Sequence, residues 1–144
     1  MFHYAGAWVS IVVILSVAGV LAAEPPDAAP GGMKLLTGYK HKRLQGKDTR
    51  VGEISKEGGL SIHYDIGRLP GNYAKSQAKE ETLWHKELVI GGRQVQLTFA
   101  KNKTLYVTMP ESNANFYATA KSEEDIADIL LMVLSYSPTE KADK

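Results

Sequence analysis

Three histidines follow the chain's apolar N-terminal stretch: His41, His63 and His85. His63 and Asp65 stand two residues apart, so on a strand they share one face. If the strand carrying His85 lay beside them, the three side chains could hold a metal ion or form a histidine–carboxylate pair. The spacing matches no established metal motif. Gln96 and Tyr106 extend the same polar set, which includes Gln94, Thr98 and Thr108. Amide, hydroxyl, phenol and imidazole groups on a rigid sheet suit hydrogen bonding to a ligand or a partner. The same composition also describes an ordinary solvated sheet face. His63, Asp65, His85, Gln96 and Tyr106 are therefore the candidate ligand-binding residues.

Catalytic groups are harder to assemble. No GxSxG frames a serine nucleophile, and the glycine pairs Gly58-Gly59 and Gly91-Gly92 lie between strand patterns, where they make turns rather than phosphate loops. The chain has no cysteine, which excludes a disulfide framework, a thiolate metal site and a cysteine nucleophile. The expectation leans to a non-enzymatic binding module with no named catalytic residue, metal or cofactor; the alternative is a small enzyme or metal-binding protein with a polar site around His63, Asp65 and His85.

A second candidate surface is electrostatic. Tyr39-Lys40-His41-Lys42-Arg43 is basic with an aromatic beside it. Net charge is only +1, yet Lys34 to Lys56 holds seven Lys or Arg against two acids, and Glu111 to Lys144 holds seven acids against three Lys. Lys40, Lys42 and Arg43 are the candidates for contact with an anionic surface or an envelope protein. Nucleic acid is not the expected partner of an exported chain.

Export is expected from the first 23 residues. Ala5 to Ala23 carries no charge, and Val20-Leu21-Ala22 has the small-residue pattern of a signal-peptidase site. Met1-Phe2-His3-Tyr4 lacks the usual Lys or Arg, so a retained membrane anchor is the rival. Both place the following domain outside the cytoplasm, in a bacterial periplasm or extracellular space.

The elements that must position these groups are legible in part. Residues 24–48 are Pro/Gly-rich and then basic, and are expected as a linker. One domain is expected over 49–137, with a frayed tail at 138–144. Leu60, Ile62, Tyr64 and Ile66 alternate with polar residues, which predicts a strand with one buried face. Trp84 to Ile90 and Arg93 to Ala100, joined by Gly91-Gly92, predict a hairpin with Leu88 facing Val95 and Trp84 facing Phe99. A three-residue loop then keeps Leu105, Val107 and Met109 on the Phe99 face. Tyr73 to Thr82 has no apolar stripe and is expected as a mobile loop or a marginal helical turn. Ser122 caps a C-terminal helix whose first turn is acidic, with an apolar stripe of Ile126, Ile129, Leu130, Val133 and Leu134. The fold class expected is α+β: a meander sheet of five to six antiparallel strands, covered on one face by this amphipathic helix.

Overall fold

The computed structural model describes residues 28–68, 70–78 and 81–138. The segment expected to direct export and the last six residues lie outside the described residues. Seven strands form one antiparallel sheet: β1 (Tyr39–Leu44), β2 (Thr49–Lys56), β3 (Ser61–Gly67), β4 (Thr82–Ile90), β5 (Arg93–Ala100), β6 (Thr104–Met109) and β7 (Ala114–Thr119). Two helices accompany them, α1 (Tyr73–Gln77) and α2 (Glu123–Val133). The class is α+β, with the longer helix at the C-terminus.

The sheet corrects two expectations. It has seven strands, not five or six, and their order is β1-β2-β3-β7-β6-β5-β4 rather than a simple meander. After β3 the chain crosses to the far edge, and three hairpin connections bring it back until β7 pairs with β3. The β4–β5 hairpin has the expected register, with Leu88 opposite Val95 and Trp84 opposite Phe99. Positive φ at both Gly91 and Gly92 makes its tight turn. Leu97 faces Val107 and Phe99 faces Leu105, as the three-residue loop requires.

One sheet face and α2 enclose the core. Ile54, Ile62, Leu105, Val107, Phe116, Ile129, Met132 and Val133 are fully buried in it. The helix starts where Ser122 accepts the Asp125 amide. Its dry side is centred on Ile129, Met132, Val133 and the following Tyr136, whereas Ile126, Leu130 and Leu134 are only partly buried. The apolar pattern located the stripe but set it slightly off its centre. Arg93 donates to the carbonyls of Leu134 and Tyr136, placing a cation at the helix C-terminus.

The linker expected before Thr49 is also corrected. Tyr39–Leu44 is an edge strand, paired with β2 from Tyr39↔Lys56 to Leu44↔Val51. Upstream, Met33 is buried, the Ser137 amide donates to the Gly31 carbonyl at 2.9 Å, and the Lys34 amide donates to Ser135 Oγ at 2.8 Å. The Tyr39 hydroxyl reaches Asp128 Oδ2 on α2 at 2.8 Å. A composition typical of linkers thus forms a strap tied to the end of α2.

Gly52 permits a close approach inside this core. It lies opposite Tyr64, and a Cβ there would overlap the Tyr64 ring and hydroxyl. Gly52→Ala is expected to destabilise the fold by about 1–3 kcal/mol through overpacking, read from the urea denaturation midpoint. An unchanged midpoint would show that Tyr64 is not held against β2.

Candidate functional site

The face opposite α2 carries the polar side chains, and the register sets their order. One cross-strand row runs Lys42, Glu53, His63, Tyr117, Tyr106, Thr98, His85. The next runs Val51, Asp65, Asn115, Thr108, Gln96, Glu87. All five candidate ligand-binding residues therefore share a face. They do not share a site. His63 and His85 are separated by Tyr117, Tyr106 and Thr98, roughly 19 Å at the usual strand spacing. Among the described residues no group of three His, Cys, Asp or Glu is placed to hold a metal ion. The trio of His63, Asp65 and His85 is not brought together.

The middle of this face is not wet. Helix α1 lies on it, in the stretch expected as a mobile loop or a marginal helical turn. Thr98, Thr108 and Asn115 are buried polar residues beneath it. Thr98 Oγ1 donates to the Ala74 carbonyl at 2.7 Å, and the Ala74 amide donates to Thr108 Oγ1 at 3.1 Å. Asn115 accepts the Tyr73 amide at 3.1 Å and donates to the Gly71 carbonyl at 2.9 Å. Asn72 caps α1 through the Lys75 amide and also bonds Gln96. Buried polar groups need such partners, and here most come from the crossover backbone. Gln96 is thus occupied in the fold. His85 is occupied too, with Nδ1 at 2.7 Å from Thr98 Oγ1.

Asp65 belongs to the same latch. Its Oδ2 accepts the Tyr73 hydroxyl at 2.7 Å, while Oδ1 is buried without a hydrogen-bond partner. Burial first, and then this hydrogen bond, push the Tyr73 phenol from its ordinary 10 up to about 12. Burial and Asp128 push Tyr39 up as well.

Beyond α1 the polar face opens into a cleft. The ladder between β3 and β7 runs from Ile66↔Ala114 to His63↔Tyr117 and stops there. Ser61 and Ile62 continue paired with β2, and Ala118 and Thr119 with β6, without pairing each other. A concavity of about 680 Å³ lies at the end of this ladder, lined by Ser61, His63, Thr104, Tyr106, Tyr117, Thr119, Lys121 and Asp125, with the Gly58-Gly59 turn as one wall. His63 stacks on Tyr117 at 5.4 Å between ring centroids, and Tyr106 stacks on its other side at 6.1 Å. Tyr73 tilts against Tyr117 at 6.0 Å, which ties the row to the latch. Both stacked pairs have 25° between their planes and lie within the roughly 4.5–7 Å centroid spacing of favourable aromatic pairs. The Ser61 hydroxyl donates to Glu53 at 2.7 Å, so it is not presented to a histidine as a nucleophile would be.

His63 and Tyr106 are the sequence candidates that this cleft contains. Tyr117, Lys121 and Asp125 were missed. The alternation of Asn115, Tyr117 and Thr119 with Ala114, Phe116 and Ala118 carried the signal for Tyr117, but its neighbours depend on strand order. Lys40, Lys42 and Arg43 lie exposed on edge strand β1, where Lys42 stands opposite Glu53. Charge on an edge strand discourages further strand pairing. Among the described residues no helix is long and apolar enough to cross a membrane. Comparison with family models, curated proteins and solved structures yields no match for this chain, so the case for the cleft rests on its geometry.

The raised Tyr73 pKa has a consequence for stability. The folded state holds this proton more tightly than the unfolded chain, whose phenol titrates near 10. The stabilisation is complete below pH 10 and is lost as pH rises from 10 toward 12. Denaturation midpoints should fall across that window, with a shallower fall in Tyr73→Phe. A Tyr73→Phe profile identical to wild type would contradict the latch.

Proposed function

We propose that the chain is an exported, non-enzymatic binding module of the cell envelope, and that its ligand occupies the cleft where the β3–β7 ladder ends. The reading of export rests on the uncharged residues 5–23, their small-residue end and the Pro-rich stretch that follows. Cleavage after Ala22 or Ala23 leaves a periplasmic or extracellular domain; retention of the segment leaves the same domain tethered outside the cytoplasm.

One observation carries the binding site: the stacked row of His63, Tyr117 and Tyr106 lines a concavity at the end of the β3–β7 ladder. Rigid strands hold the row, so little side-chain freedom is lost when a ligand binds. The groups around it are two phenols, an imidazole, the hydroxyls of Ser61, Thr104 and Thr119, one ammonium and one carboxylate. Such a set suits a ligand rich in hydroxyl and amide groups, as envelope glycans and peptides are. The basic edge of β1 is a weaker candidate, because Glu53 faces Lys42 and edge protection accounts for the charges.

The test is a titration of the 15N-labelled chain with soluble glycan and peptide fractions from an envelope digest. Shifts are expected at His63, Tyr106, Tyr117 and Lys121. Tyr106→Ala should weaken the bound fraction's affinity about tenfold, a loss of roughly 1.4 kcal/mol. Shifts confined to β1, or an affinity indifferent to Tyr106→Ala, would refute the assignment.

A further inference from the structure

The two outer strands of the sheet are built differently. β1 is guarded by exposed Lys40, Lys42 and Arg43. β4 is the longer strand and exposes Leu83 (58 %), Leu88 (41 %) and Val89 (72 %). Its outer side has no strand beside it among the described residues. Exposed Leu88 and Val89 on an uncovered edge offer a template for strand pairing, and Lys86, Glu87 and the register shift between Thr82 and Trp84 limit its length.

We propose that the β4 edge pairs with β4 of a second copy of this chain, in antiparallel register about a two-fold axis at Lys86. The choice of occupant follows from self-complementarity. A two-fold axis normal to the sheet keeps like faces together, so each residue must meet one of its own parity. Centred on Lys86, the pairing sets His85 against Glu87 of the second copy and Trp84 against its Leu88, each twice. Val89 then comes level with Leu83, where the register of β4 shifts between Thr82 and Trp84, so the regular pairing ends at Trp84. Centring on Glu87 instead opposes two carboxylates, and centring on His85 opposes two imidazoles. At the chosen axis the two Lys86 side chains meet, but they are exposed and long enough to diverge. That repulsion keeps the association reversible.

The absence of cysteine makes the test specific. Directly opposed antiparallel residues have Cα atoms roughly 4.5–5.5 Å apart, inside the range a disulfide spans. In the full chain under mild oxidation, Lys86→Cys is expected to give an interchain disulfide dimer on a non-reducing gel. Leu88→Cys should not, because that register holds the two Leu88 positions roughly 14 Å apart. Lys42→Cys, on the guarded edge, should not either. Adding Val89→Lys to Lys86→Cys should abolish the dimer band. No cross-link from Lys86→Cys, equal cross-linking from all three positions, or a dimer that survives Val89→Lys would each overturn the proposal.

Discussion

A sheet that sends its chain from β3 to the far edge must carry the crossover over one of its faces. The core face is occupied by α2, so the crossover runs over the polar one. Five residues of helix cannot present an apolar stripe, and Ala74 is the one buried residue in α1. The contact is therefore made by hydrogen bonds. Without the backbone of Gly71, Tyr73 and Ala74, the buried Asn115 amide would lose its acceptor, and Thr98 and Thr108 would keep only their bonds to His85 and Asn115. A satisfied bond contributes only about 1 kcal/mol net, but an orphaned partner costs roughly 1–3 kcal/mol, so the members stand or fall together. The latch dries the middle of the polar face and leaves open the end at which the β3–β7 ladder stops.

That division explains what could be read from residues alone. The β4–β5 hairpin was legible because two glycines set the turn and the turn sets every opposed pair. The C-terminal helix was legible from its cap, its acidic first turn and its apolar period. Both are local. The docking of α1 was not legible, because its stretch was judged by apolar period while it is held by polar groups contributed by β5, β6 and β7. The strap at residues 28–37 and strand β1 were hidden for a related reason: Pro, Gly and Lys suggest a linker, yet Met33 and Tyr39 are buried in the core.

The site was half legible. Alternation placed His63, Asp65, His85, Gln96 and Tyr106 on one face, and the register bears this out. Strand order then separated them. β7 inserts beside β3, so Tyr117 becomes the neighbour of His63, and His85 is left at the far edge. Asp65 and Gln96 serve the latch, whereas His63 and Tyr106 reach the cleft. Whether polar groups on a common face converge is decided by topology, which alternation does not encode.

The central claim is that α1 is a docked part of the sheet rather than a loop lying over it. Native-state hydrogen exchange of the Tyr73 and Ala74 amides tests it most directly, since their acceptors are the side chains of Asn115 and Thr108. These amides should be protected to nearly the same free energy as those of β6, with which they would open cooperatively. Exchange at the rate of an open surface loop, with β6 still protected, would contradict the account.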